Sequence, residues 1–239
     1  SGSNASSAWG ATPNTGSPND IFLASSIDAL PHRVVGHLAY EIGGQRFGKT
    51  TLSLYYTGAN QGRYSFTYNG DVNGDAISGD LLYIPNSAAE INFVANGNFT
   101  VDQQREAFDK LMSNVSYLRD NKGKISDRNA VLMPWYSRFD FRLLQDLFKN
   151  VGGSKNSIQL SFDFVNFANL LNSNWGVRKS IIPNANTPLS VVTRGTNPTF
   201  RMNTATIDGK VVLPTEMYQN VSTVSTTWSM QFGIRYIFN

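Results

Sequence analysis

The sequence predicts an all-β chain, an antiparallel transmembrane β-barrel segment with long extracellular loops, on three observations. The first is strict alternation of apolar and polar residues over runs as long as Thr227–Phe238. Trp228, Met230, Phe232, Ile234, Tyr236 and Phe238 fall on one face there, and Thr227, Ser229, Gln231, Gly233 and Arg235 on the other. Period two over that length is a strand signal, and soluble strands usually stop at about 5–6 residues whereas a tilted membrane-crossing strand needs about 9–11. The second is the sorting of connectors into short and very long ones. The third is composition: 15% charged residues with 12% aromatics, against about a quarter charged in soluble domains. An exterior that faces lipid needs no charge.

Taken in order, residues 1–31 are Ser/Gly/Asn-rich and read as an extracellular loop or linker. Strands are expected near 32–42, 49–58, 135–147, 156–168 and 224–238. Val34, Gly36, Leu38, Tyr40 and Ile42 share a face of the first, Leu52, Leu54 and Tyr56 of the second, Phe139, Phe141 and Leu143 of the third, and Ile158, Leu160, Phe162 and Phe164 of the fourth. The connections Gly43–Gly48 and Lys149–Asn156 are turn-like. Loops 59–134 and 169–222 are far longer than the 12–15 residues beyond which structureless loops are uncommon in soluble domains. Short turns on one side and long loops on the other are the barrel pattern. With the C-terminus in the periplasm, both turns fall inside and both loops outside.

Within the first loop, Arg63–Tyr68 is strand-like and extends the second strand, and Asp71–Asp80 is turn-rich. Val101–Arg119 places Phe108, Leu111, Met112, Val115 and Leu118 at helical spacing. This predicts a short amphipathic helix capped by Thr100, with Gln103 three residues on, its apolar face packed on the loop. The second loop, with Pro183, Pro188, Pro198 and Pro214, reads as extended segments and turns.

Several function classes drop out. A net charge of +3 with no Lys/Arg run gives no basis for nucleic-acid binding. Cysteine is absent, which removes disulfides and Cys-ligated zinc. No apolar run reaches the ~20 residues of a membrane-spanning helix. No nucleophile elbow, P-loop, HExxH or GxGxxG is present, so enzyme activity has no support. Five strands cannot close a barrel, whose bacterial forms start at eight, and open edges are not tolerated in lipid. The remaining strands are therefore expected from elsewhere, and the lack of a signal peptide at Ser1 fits the later part of a longer chain.

Specific stretches carry a family resemblance. They are Tyr64-Ser65-Phe66-Thr67-Tyr68-Asn69-Gly70-Asp71-Val72-Asn73-Gly74-Asp75 with Asp80-Leu81-Leu82-Tyr83-Ile84-Pro85; Met133-Pro134-Trp135 with Arg138, Asp140 and Gln145-Asp146; Phe162-Asp163-Phe164-Val165-Asn166-Phe167-Ala168-Asn169-Leu170-Leu171-Asn172 running into Asn174-Trp175-Gly176; and Trp228 to Phe238. Over residues 30–239 the chain resembles the C-terminal β-barrel region of Bacteroidetes TonB-dependent outer-membrane receptors, of the Oar-like, carboxypeptidase-regulatory-like branch, with the SusC-like branch related. The resemblance implies the last five strands or so of a 22-stranded barrel in the bacterial outer membrane. Its partners would be an N-terminal plug and the remaining strands, in the same or a separate chain, with TonB reached through that part, outer-membrane lipid, and a surface lipoprotein. Transport would take up a large substrate such as an oligosaccharide, peptide or chelate. Where family barrels end on an aromatic residue, Phe238 is followed here by Asn239. Two other readings stand beside this one: a soluble secreted β-sandwich that binds glycans or surfaces, and a barrel with a secretion or structural role independent of TonB.

Candidate site residues follow. Arg138, Asp140, Arg142, Asp163 and Arg235 lie on polar strand faces and read as lumen-facing, either contacting plug or substrate or forming salt bridges that stabilise the wall. Trp135, Tyr136, Trp175, Trp228 and Tyr236 are candidates for membrane-interface girdles. Asp71, Asn73 and Asp75, at alternate positions, start like a Ca²⁺ loop with Asp80 as a further ligand. Against it, Ala76 replaces the turn glycine and Leu82 the final glutamate, so a structural Ca²⁺ competes with a hydrogen-bonded turn cluster. His32 and His37, five apart, make no metal pair. No other cofactor is expected.

Overall fold

Alternating apolar residues drive five long strands into one sheet, and the computed structural model, which describes residues 10, 12–17, 19, 22–44, 48–149, 156–224 and 226–238, gives their bounds. They are β1 (Arg33–Gly43), β2 (Lys49–Asn60), β3 (Trp135–Lys149), β4 (Ser157–Val165) and β5 (Ser229–Ile237). The sheet is an up-and-down meander in the order β1-β2-β3-β4-β5, every pair antiparallel. The protein is mostly β, at 43% strand and 13% helix. The expected turns at 43–48 and 149–156 fall largely outside the described residues, as does Asn239.

Register sorts the two faces. Leu38, Leu54, Phe141, Phe164 and Met230 are successive cross-strand partners, and so are Tyr40, Leu52, Leu143, Phe162 and Phe232. The adjacent row on the opposite face is Ala39, Ser53, Arg142, Asp163 and Gln231. The apolar face is uncovered: Leu38 keeps 69% of its surface and Ile234 67%. Among the described residues the sheet is open, with β1 and β5 each paired on one side only. A shift between Asp146 and Phe148 adds an irregularity near the end of β3.

Two strand ends fall well short of expectation, for local reasons. β4 stops at Val165 because Asn166 turns left-handed, at φ 56 and ψ 47, and starts a one-turn helix over Phe167–Leu171. β5 starts at Ser229 because Thr226 Oγ1 bonds the carbonyls of Val221 (2.6 Å) and Thr223 (2.9 Å), closing a turn before it.

The chain divides into two compact units. One is the sheet with Leu30–Gln61, Pro134–Lys179 and the segment from Asn220 onward; the other takes in Gly62–Met133, Ser180–Gln219 and the described residues before Leu30. We refer to the second as the insertion unit. Its segments are the stretch before β1 and the β2–β3 and β4–β5 connections.

The insertion unit has its own core, in which the helix expected in the first loop packs with the short extended segments of the second. Helix α1 (Val101–Asn114) opens on a full capping box, Thr100 accepting from Gln103 N and Gln103 reaching back to Thr100 N. The expected single helix breaks at Val115, which is extended at φ -99 and ψ 110, and resumes as α2 (Ser116–Asp120). Phe108, Leu111, Met112, Val115 and Leu118 are all buried, packed with Phe66, Leu82, Ile84, Leu189 and Met202. Gln104, also fully buried, is satisfied on both sides, donating to Val94 O (2.8 Å) and accepting from Met202 N (2.8 Å). Arg63–Tyr64 pairs with Val131–Leu132 instead of prolonging β2, and Tyr68–Asn69 pairs in parallel with Leu189–Ser190 of the other insertion.

Candidate functional site

The polar face of the sheet collects every residue expected on a lumen wall. Period two puts Arg138, Asp140 and Arg142 on one side of β3, and pairing brings Asp163 directly opposite Arg142, where the two form an ion pair. Arg138 instead pairs along its own strand with Asp140 at 2.8 Å. Asp140 also accepts from Asn166 N at 2.8 Å, so one carboxylate serves both strand and turn. Further along, Gln159 donates to Asp146 Oδ1 at 2.9 Å. Arg235, opposite Gln159, has no carboxylate within ion-pair distance among the described residues. His37 stacks on Tyr55 at 4.3 Å between centroids, across the β1–β2 pair. A cavity of about 200 Å³ opens among Tyr55, Asp140, Arg142, Asp163 and Val165.

The aromatics split. Trp135, Trp228 and Tyr236 are exposed; Trp228 stands just before β5 and Tyr236 within it, eight positions apart, which is about 26 Å of extended chain. Trp175 is exposed just beyond the helix Phe167–Leu171, labelled α3. Tyr136 is a correction. It is 8% exposed and lies under the Arg178 guanidinium, 5.0 Å from the ring centroid. Consecutive strand residues point to opposite faces, so Tyr136 shares the polar face with Arg138 while Trp135 shares the apolar one.

Sequence reasoning singled out the stretch from Phe162 to Gly176 without assigning its asparagines a role. Asn166 is buried and donates through Nδ2 to Gly176 O (3.0 Å) and Thr226 O (3.0 Å). Asn169 donates to Ser173 O and Trp175 O and accepts from Trp228 N. Together they tie the ends of β4 and β5 to the turn between them. Gly176 has φ +63, and a Cβ there would meet Asn166 Oδ1 at 1.9 Å, so only glycine fits.

In the insertion unit the Asp71–Asp80 turn is a dense hydrogen-bonded cluster. Asp71 is buried; its Oδ1 accepts from Gly74 N (2.6 Å), and its Oδ2 from Ala76 N (2.9 Å) and from Arg194 (3.2 Å). Asn73 Nδ2 donates to Asp75 and Asp80, each at 3.2 Å, and Asp80 Oδ2 accepts from Val72 N at 2.7 Å. Burial alone would raise the Asp71 carboxyl, but the two backbone N–H groups and the guanidinium outweigh it and hold it below the usual carboxylate value. Asp80 goes the other way: burial, with the charges of Asp75 and Asp71, lifts it against its bond from Val72. These carboxylates point at N–H donors, and among the described residues no set of three His, Asp or Glu converges to hold a metal ion. Arg194, from the second insertion, had no sequence signal as a partner of Asp71.

The same unit holds a cavity of about 520 Å³ floored by Tyr64, Ser65, Thr67 and Asn186 and walled by Arg128, Asn129 and residues 24–27, within the usual range for ligand pockets. Arg128 donates to Phe22 O (2.7 Å) and Asn129 Nδ2 to Ser25 O (2.9 Å), fastening the N-terminal segment along it. Tyr64 pairs with Tyr218 through their hydroxyls at 2.8 Å, and burial, with that bond, pushes Tyr64 far above the ordinary phenol range. Burial likewise lifts Tyr68 to about 12.

No family model, curated protein or solved structure matches this chain.

Proposed function

We propose that this chain is the C-terminal portion of an outer-membrane β-barrel receptor of the TonB-dependent kind, contributing wall strands and the surface insertions that meet a large substrate such as an oligosaccharide, peptide or chelate. One observation carries the reading: a five-stranded meander, apolar and uncovered across one face, polar and ion-paired across the other, with both edges unpaired. In water such a face would be covered, because each large side chain left out forfeits about 1.5–3 kcal/mol of burial. In lipid it is the expected exterior, and the unpaired edges call for neighbouring strands. The roughly 26 Å between the Trp228 and Tyr236 positions, on a strand tilted by about 35–45°, spans about 20 Å of height, most of an apolar band about 25 Å tall.

The bacterial outer membrane is the compartment this reading requires, with insertions outside and the β5 end in the periplasm. A plug, TonB and any surface lipoprotein would act through the rest of the receptor. The secreted-sandwich alternative needs a second sheet over the apolar face, and that face is exposed. A TonB-independent barrel shares all the sheet features and differs only in the remainder of the assembly.

The test is extraction of the native outer membrane in detergent. The expected result is co-migration with a larger barrel-and-plug chain, or within one, and a gel mobility that changes on boiling. A folded, aqueous monomer with heat-independent mobility would overturn the reading.

A further inference from the structure

Two adjacent small residues interrupt the polar face of the sheet. Leu144, Ser161 and Gly233 are successive cross-strand partners. The row on one side contains Arg142 and Asp163, and the row on the other contains Gln159 and Arg235. Cross-strand neighbours stand about 4.8 Å apart and same-face neighbours along a strand about 7 Å. A serine and a glycine set among long side chains therefore leave a depression. It is present as a cavity of about 100 Å³ lined by Arg142, Leu144, Gln159, Ser161 and Arg235. A Cβ on Gly233 would stand 2.5 Å from Ser161 Oγ, so the serine hydroxyl leans over the glycine.

The lining has a definite chemistry. Two guanidiniums, a hydroxyl and an amide face the notch, and no carboxylate does. The nearby acids are committed elsewhere: Asp163 to Arg142 and Asp146 to Gln159. Arg142 uses Nε for its pair, leaving its terminal nitrogens as donors, and Arg235 has no acid partner among the described residues. Planar guanidinium forks match oxyanions in a way that ammonium groups do not. Leu144 gives the notch an apolar side, where such bonds are less diluted by water.

We propose that this notch binds an oxyanion, a carboxylate or phosphate group held between Arg235 and Arg142 with Ser161 donating at the floor. The size admits one such group rather than a whole nutrient. The group arrives either on a diffusing molecule or as an acidic side chain of a segment filling the space over the polar face. The biological meaning of the notch rests on reading that face as a lumen wall; its chemistry does not.

Arginine footprinting with phenylglyoxal, read by peptide mass spectrometry on the full receptor as purified, tests the proposal. If the occupant diffuses, Arg235 is modified in anion-free buffer, and millimolar inorganic phosphate or acetate slows the reaction several-fold. Filling the notch with Gly233→Leu, or Arg142→Gln, abolishes that protection. If the occupant is an intramolecular carboxylate, Arg235 is protected from the start and molar NaCl lifts the protection. Modification at one rate with and without anion, or protection that neither salt nor Arg142→Gln alters, overturns the proposal. The footprint reads the notch in detergent or in aqueous solution alike, so failure of the barrel reading, seen in partitioning and gel mobility, is scored separately.

Discussion

The sheet and the insertion unit spend the same kind of residue in opposite ways. Phe108 and Phe232 are both phenylalanines on regular elements, yet Phe108 is fully buried and Phe232 keeps 51% of its surface. The insertion unit folds its apolar side chains inward on one another, as a protein in water does. The sheet turns an entire face outward and leaves its polar groups to pair internally. The difference separates two ways of placing apolar surface within one chain: one unit buries it against itself, and the other leaves it outward, which is the face the proposed barrel reading assigns to lipid.

Substitutions can break or sharpen that contrast. The largest effect is expected from Phe108→Ala, which should cost the insertion unit about 3–5 kcal/mol through lost burial and a residual cavity. Thermal unfolding followed by proteolysis in that unit measures it. Phe232→Ala on the sheet face should cost far less, because folding leaves half of that side chain outside the protein. A core-like loss at Phe232 would mean that the face is covered by protein. Next comes Phe232→Arg, for which the proposed barrel reading expects a loss of about 2–4 kcal/mol, the range for a cation near mid-membrane. Refolding equilibria in lipid vesicles should show it, whereas Gln231→Arg on the opposite face should be tolerated.

A smaller effect, about 1 kcal/mol, is expected from Thr100→Ala, which removes the helix cap. Circular dichroism of the unfolding transition resolves it. The smallest is a pH effect with two signs. Asp80 binds its proton more readily folded than unfolded, so falling pH stabilises the insertion unit as it passes between the raised folded value and the ordinary unfolded one. Asp71 does the reverse: its contribution is complete above the unfolded carboxylate value and is lost as pH falls through the depressed folded value. Stability of this unit should therefore rise slightly on mild acidification and then fall. Asp80→Asn should remove the rise, and Asp71→Asn should flatten the fall while lowering stability at neutral pH.

How much of this was legible in the sequence depends on the distance over which each feature is decided. Strands and helix were readable because their signals are local: period two in Trp228–Phe238, helical spacing from Phe108 to Leu118, and the Thr100–Gln103 box. Their ends were less so. Asn166 ends β4 through a backbone turn that no alternation pattern encodes, and Val115 interrupts a helical stripe without breaking its spacing. The polar-face residues followed from parity, and parity applied to Tyr136 places it on that same face. The shared core of the insertions was out of reach: Tyr68 meets Leu189, Phe93 bridges to Phe200, and Asp71 meets Arg194. Each pairing joins residues more than a hundred positions apart, and nothing in either segment names the other.

Those same pairings dictate an order of events. The insertion core cannot close until Phe200, Met202 and Met217 are present, by which point four of the five long strands have been synthesised. Hairpins form locally within microseconds, whereas contacts of high sequence separation must first meet the entropy of a long loop. A chain arrested before Ser180 would hold α1 with Phe108 and Leu111 without Leu189, Phe200 and Met202 of their shared core, an intermediate whose bare apolar surface invites association until the last insertion arrives.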